Sequence, residues 1–238
     1  MSELIVGAGK VGRSLALALR RAGRPVTLVS YRRLRISGAP ALVVCAVRDG
    51  ELPRLAGLLA GRLPRRTPVV HCAGGHGPEV LGPLAELGQP VGVLHPLVSF
   101  AGPRTELAGA GAVVWGAPLA VRRASALARA AGLLAVRPDR RDPAVYHAAA
   151  ALLANGSVAL ASAAASLLCR AGIARGQTAR LLGPLLGSVA ANLTKLGPGL
   201  ALTGPVRRGD SDMISRHLSA IAGSPEAAVY ADRSEEHT

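Results

Sequence analysis

The sequence predicts an α/β domain built on a largely parallel sheet, followed by an all-helical domain. Three observations carry this. Short apolar runs alternate with helix-patterned runs up to Val136. A GxGxxG string, Gly7-Ala-Gly-Lys-Val-Gly12, stands between the first apolar run and the first helical one. Beyond Arg137-Pro-Asp-Arg-Arg-Asp-Pro143 no strand pattern returns. The expected domains are therefore residues 1–137 and 138–232.

The elements follow in order. Leu4–Val6 is an apolar strand, and Val11–Ala22 has helical periodicity closed by Gly23. Val26–Val29 and Ala41–Ala46 are strands, Leu52–Leu63 a helix, and Pro68–Cys72 a strand. Pro78–Leu87 is helical up to Gly88, and Val91–Leu94 is a strand that His95 stops and Pro96 turns. Ala112–Trp115, Leu119–Ala131 and Leu133–Val136 add a strand, a helix and a strand. This alternation implies βαβ units and a sheet covered on both faces. Asp142 is a good N-cap and Pro143 suits the first helical position, so a long helix starts there. Ala144–Ala171, Gln177–Leu196 and Ser211–Ala222 read as helices, punctuated by Gly172, Gly197-Pro-Gly199 and Gly223.

Half of the 238 residues are apolar and only 2% aromatic, so Ala, Leu and Val must build the core. The formal charge of +14 is almost wholly Arg, since Lys occurs only at positions 10 and 195. No dense basic run is interleaved with aromatics. The arginines therefore read as scattered over solvated faces, and nucleic acid is not an expected partner. Cys45, Cys72 and Cys169 form no CxxC and are odd in number, which suits reduced thiols and a cytoplasmic location. No signal-peptide pattern opens the chain. Ala144–Leu168 is free of charge apart from His147 counted as neutral, but it is rich in Ala and Ser and contains Asn155 and Gly156. It reads as a buried core helix rather than a membrane span. The closing RSEEHT, residues 233–238, follows no pattern of the preceding chain and reads as an artefactual tail.

The glycine string has a physical logic. Gly7 permits a tight turn, Gly9 lets backbone approach a diphosphate, and Gly12 allows close helix–strand packing. The helix start then offers free N–H groups to phosphate, around which Ala8, Lys10 and Val11 also lie. A carboxylate ending the second strand would bind ribose hydroxyls and repel a 2′-phosphate. This chain has Ser30-Tyr31-Arg32-Arg33 instead. Ser30, Arg32 and Arg33 suit a 2′-phosphate, so NADP is the expected cofactor, with Val47 after the third strand also lining it. For Arg32 and Arg33 the alternative is a pair of solvated arginines.

Other polar groups follow strand ends: His71-Cys72-Ala73-Gly74-Gly75 and His95-Pro96-Leu97. His95 is either a proton donor or acceptor beside the nicotinamide, or a strand cap. His71, Cys72 and His76 span a glycine turn without a clear third ligand, so no metal site is expected. On the long helix His147 and Asn155 share a broad face. Asn155 is either a satisfied core amide or a ligand for the nicotinamide carboxamide or a substrate oxygen. Between Gly197 and Leu218 the polar groups Thr203, Arg207, Arg208, Asp210, Ser211, Asp212 and His217 crowd together. Helix capping accounts for Asp210 and Asp212. It leaves Thr203, Arg207 and Arg208 unexplained.

The strings VVHCAGGHG, LHPLVSFAG, YHAAAALLANG and ALTGPVRRGD followed by HLSAI carry a resemblance, in order, from about residue 3 to 230. The chain resembles the bacterial family of Rossmann-like proteins with a C-terminal domain of unknown function similar to the dimerisation domain of 6-phosphogluconate dehydrogenase. Pyrroline-5-carboxylate reductase, ketopantoate reductase and prephenate dehydrogenase resemble it more distantly in architecture. The resemblance implies a Rossmann-like domain, NADP-dependent oxidoreduction of a small molecule, and a homodimer. It also implies that Thr203 and Arg208 hold a substrate carboxylate. Hydroxyacid dehydrogenases of this architecture carry a proton-donating Lys four residues before an Asn. Here Asn155 is preceded at that spacing by Ala151. The expected function is therefore an NADP(H)-dependent oxidoreductase acting on a carboxylate-bearing carbonyl, imine or hydroxy compound, with His95 or His147 handling the proton. The rival expectation is a non-catalytic NADP-binding sensor or scaffold.

Overall fold

The computed structural model describes residues 2–140 and 142–235, with side chains up to residue 231. By contacts the chain divides into two compact units, 1–151 and 152–238. The elements of the first unit are β1 (Glu3–Val6), α1 (Lys10–Arg21), β2 (Val26–Val29), β3 (Leu42–Cys45), α2 (Leu52–Leu59), β4 (Val69–His71), α3 (Gly82–Glu86), β5 (Val91–Leu97), β6 (Gly111–Gly116), α4 (Pro118–Ala130) and β7 (Leu134–Val136). The start of α5 (Pro143–Arg170) also belongs to it.

The strands form one sheet in the order β2-β1-β3-β4-β5-β6-β7, parallel except for the antiparallel β5–β6 pair. Each central strand buries both faces, and alternate side chains feed two cores. Ile5, Leu42, Val44 and Leu94 pack with Leu15 and Leu19 of α1 and Leu127 of α4. Leu4, Val6, Val43 and Cys45 pack with Leu52, Leu55 and Leu59 of α2 and Leu84 of α3. From β1 the chain moves to β2 on one side and later to β3 on the other. The ends of β1, β2 and β3 lie level, because Val6 pairs with both Val29 and Cys45. Such a reversal of strand order leaves a crevice at the carboxyl ends, where ligands of open α/β sheets bind.

One strand differs from expectation. β5 does not stop at His95 but runs through Pro96 to Leu97, with Pro96 opposite Ala112 of β6. The reason is that β4 accompanies β5 only as far as Val93. Beyond that point β5 has a neighbour on one side only, where a sheet tolerates the missing N–H of proline.

The second unit contains the rest of α5, then α6 (Arg175–Leu196), α7 (Pro198–Ala201), α8 (Gly204–Arg208), α9 (Ser211–Ala220) and α10 (Pro225–Glu235). Asp142 caps α5, accepting a hydrogen bond from Val145 N–H at 3.0 Å, and Asp210 caps α9 in the same way through Met213 N–H at 3.1 Å. His217 is held to Tyr230 of α10, with Nδ1 and the hydroxyl 2.6 Å apart. The last three residues of the expected tail, 236–238, lie outside the described residues.

The expected burial of α5 is corrected. The helix is 28 residues long and apolar enough to cross a membrane, with a mean hydropathy of 1.7 over its richest stretch, and no residue of it is fully buried within the chain. Its apolar residues lie on all sides, and Leu152 and Leu153 are 75% and 66% exposed. The neighbouring α6 likewise exposes Leu185 and Leu186.

Candidate functional site

The loop after β1 tests the three glycine roles one by one. Gly7 has φ +123°, and a Cβ there would run into the Ala46 carbonyl at the end of β3. A Cβ on Gly12 would strike the Gly7 carbonyl oxygen and lie 3.3 Å from Ile5 Cγ2. Those two glycines are required by the protein's own packing. Gly9 is different, because a Cβ there would meet nothing within 4 Å. It is the N-cap of α1, whose first turn has neither a side-chain cap nor an acidic residue. The backbone at Gly9 is thus bare toward a cavity, as close approach of a diphosphate requires.

That cavity measures about 890 Å³ and is lined by Gly7, Ala8, Gly9, Lys10, Val11, Ser30, Arg32 and Val47, all expected from sequence. Gly12 supports it from behind. Arg33, in the turn Tyr31–Arg33, is exposed and is not among the lining residues. The structure adds Arg13, Tyr31, Ala46, Arg48, Glu51 and Phe100 to the lining. Arg13 Nε donates to the Ala8 carbonyl at 2.7 Å, tying the glycine loop to the helix that follows it. Its position directly after Gly12 was the available signal. Lys10, Arg13, Arg32 and Arg48 face a single carboxylate, Glu51, so the cavity is electropositive. A nucleotide carrying several phosphates fits both its size and its sign.

A second constellation gathers further along the same sheet edge. His95 lies on β5, and both Tyr146 and His147 lie in the first turns of α5. Asp142 caps that turn and so sets where Tyr146 stands. His95 Nδ1 and the Tyr146 hydroxyl are 2.7 Å apart. The His95 and His147 rings meet edge to face at 6.1 Å, and Trp115 of β6 holds Tyr146 from another side at 5.9 Å. Burial, reinforced by His147, pulls His95 down to about 4, so its imidazole is neutral at physiological pH. Burial pushes the Tyr146 phenol up to about 12.

The glycines of His71-Cys-Ala-Gly-Gly75 now have a reason. A Cβ on Gly74 would lie 2.8 Å from His95 Nε2 and 2.9 Å from His147 Cδ2, and one on Gly75 would lie 3.3 Å from His147 Nδ1. His71 itself is buried and turned inward. Its Nδ1 accepts from Ala73 N–H at 3.2 Å, which leaves Nε2–H to donate to the Gly77 carbonyl at 3.0 Å. His71 therefore shapes the loop, and burial lowers its pKa. Cys72 is also held protonated, pushed up to about 12 by burial. His76 pairs with Asp49 at 3.6 Å across the surface.

The structure thus brings His95 and His147 together and adds Tyr146. Asn155, Thr203 and Arg208 are exposed residues of the second unit, on α5, at the N-cap of α8 and at the end of α8. The stretch from Thr203 to Asp210, between the two helices expected from sequence, is itself partly helical, because Pro205 suits the first turn of a helix.

Among curated proteins no sequence relative is found. A protein from Bacteroides fragilis, described as a "putative NADP oxidoreductase", superposes with a TM-score of 0.73 at 20% identity, over 99% of this chain and 96% of that one. Protein TM1727 from Thermotoga maritima superposes with a TM-score of 0.71 at 21% identity, over 98% and 95%. The reductive aminase from Aspergillus terreus in complex with NADPH and ethyl levulinate gives 0.62 at 13% identity, over 98% and 87%. These likenesses establish a Rossmann-like fold with a helical C-terminal region. The family profile of a domain of unknown function, DUF2520, matches residues 112–237, from β6 onward. With more than half of its length matched, the chain belongs to that family.

Proposed function

We propose that the chain is an NADP(H)-dependent oxidoreductase acting on a small carboxylate-bearing carbonyl, imine or hydroxy compound. The observation that carries this is the electropositive cavity over bare Gly9, bounded by Ser30 and Arg32 at the end of β2. Gly9 and the N–H groups opening α1 hold the diphosphate, Arg32 and Ser30 the 2′-phosphate, and Arg13 and Arg48 add charge. When bound, NADPH supplies the hydride. His95, with His147 against it, lies at the same sheet edge and handles the proton. Asn155 orients the amide or the substrate oxygen, and Thr203 and Arg208 hold the carboxylate, Arg208 by its bidentate fork. The NADPH-bound aminase of similar fold supports the cofactor assignment.

We further infer a homodimer. The exposed apolar faces of α5 and α6 leave a groove of about 340 Å³, lined by Val158, Ala161, Ala165, Leu182 and Leu186, which a second copy would cover. Residues 1–137 then act as the cofactor domain and 138–232 as the dimerisation and substrate domain. The unpaired cysteines suit a cytoplasmic setting.

The test is a screen of small keto and imino acids with NADPH, followed by absorbance. Turnover that depends on His95 supports the oxidoreductase. Tight NADPH binding without turnover across the screen supports a sensor or scaffold instead, the reading that Ala151 favours. Absence of NADPH binding overturns both.

A further inference from the structure

We propose that Tyr146 is a positioning residue that donates its phenolic proton to His95 Nδ1, fixing His95 as the tautomer whose Nε2–H points toward Gly74. This rests on the oxidoreductase assignment only for its chemical consequence. The tautomer itself follows from geometry. The 2.7 Å separation between Nδ1 and the hydroxyl allows two polarities. A phenol is a far stronger acid than an imidazole N–H, and the imidazole lone pair is a far stronger base than a phenol oxygen. The hydrogen bond that pairs the stronger acid with the stronger base therefore wins, and the phenol donates.

The surroundings agree. The Tyr146 ring is held edge to face by Trp115 at 5.9 Å and follows a helix start capped by Asp142. It therefore arrives at His95 with its direction set. The opposite edge of the His95 ring faces Gly74, where a Cβ would sit 2.8 Å from both Nε2 and Cε1. Glycine there is what lets the loop after β4 pass so close to the Nε2 edge of the ring. The other titratable groups facing His95 are His147 on α5, His71 at the end of β4 and Asp49 after β3. His71 already spends both ring nitrogens on the loop backbone, so it does not compete for the phenol.

For a carbonyl substrate the proton balance closes. As the carbonyl carbon accepts hydride, its oxygen takes the proton of His95 Nε2. Nδ1 takes the phenolic proton of Tyr146, so the imidazole stays neutral and the phenol becomes phenolate. An alkoxide is a stronger base than a phenolate, so both transfers run downhill. After the alcohol leaves, Nδ1 returns its proton to the phenolate while Nε2 takes one from water. A neutral histidine thus serves as proton donor without becoming imidazolate.

Nitrogen-15 NMR of the full chain labelled at histidine tests this without any substrate. At pH 7.5 the His95 signals, assigned by loss in His95→Gln, should show a bare pyridine-type Nδ1 and a protonated Nε2. In Tyr146→Phe, which keeps the ring against Trp115, the single-tautomer signature should give way to a mixture. A protonated Nδ1 in the unmodified protein overturns the proposal, as does an unchanged signature in Tyr146→Phe. NADPH titration of the same samples separates the two inferences. Tyr146 does not line the cofactor cavity, so both proteins should bind alike, and failure to bind in both would refute the cofactor site while leaving the tautomer result standing.

Discussion

Gly9, the N-cap of α1, and Gly12, in its first turn, lie three residues apart, yet their substitution by alanine should fail in opposite ways. At Gly12 a methyl group would strike the Gly7 carbonyl oxygen, with the carbonyl carbon at 3.1 Å and Ile5 Cγ2 at 3.3 Å. Ile5 is fully buried, so neither neighbour can swing aside as a flexible side chain would. The loop must move, and overpacking of this kind costs about 1–3 kcal/mol. For a chain of this size that lowers Tm by roughly 2–12 °C. At Gly9 the methyl group would meet nothing. Alanine is a poorer N-cap than glycine, but it restricts the unfolded chain, and the two effects offset to within about 1 kcal/mol. Gly9→Ala should therefore melt within about 4 °C of the unmodified protein. Its methyl would occupy the place of the diphosphate, and NADPH affinity should fall at least about tenfold, or about 1.4 kcal/mol. Thermal unfolding and NADPH fluorescence titration on the same preparations measure both. Unmodified NADPH affinity in Gly9→Ala would rule out a diphosphate over Gly9, and an unmodified Tm in Gly12→Ala would rule out its tight packing on the Gly7 carbonyl.

Three further outcomes are expected. Arg32→Asp should weaken NADPH binding about tenfold to a hundredfold and leave NADH nearly unchanged, because a charge-assisted bond to the 2′-phosphate is lost; calorimetric titration showing equal losses would count against the assignment. His95 is neutral when folded down to about pH 4, whereas in the unfolded chain it takes up a proton below its ordinary value near 6.5. Its contribution is intact above pH 6.5 and is lost as pH falls toward 4, by about 3 kcal/mol, with His71 acting in the same direction; urea unfolding should show a shallower pH dependence in His95→Gln. Leu185→Glu, on the exposed face of α6, should shift sedimentation at micromolar concentration from dimer to monomer and leave NADPH binding intact.

Much of the first unit was legible because its signals are local. Strands Val26–Val29 and Leu134–Val136, and the helix opened by the glycine string, follow from short-range periodicity and turn chemistry. Even the separate duties of Gly7, Gly9 and Gly12 follow from spacing. What escaped depends on partners distant in sequence. β5 continues past His95 because β6 runs beside it and β4 has ended, which no window around Pro96 reveals. Tyr146 meets His95 across 51 residues, and only the capped start of α5 brings them together. The exposure of α5 escapes the sequence for a related reason. Apolar residues on every side of a helix say that something covers it, but they do not say whether the cover lies in the same chain.

The most direct measurement is a crystal structure of the protein grown with NADPH. The diphosphate should lie over Gly9 at the start of α1, the 2′-phosphate against Arg32 and Ser30, and the nicotinamide toward the His95 side of the sheet edge. A glycine loop left empty at saturating NADPH, or the nucleotide seated elsewhere on the chain, would contradict this.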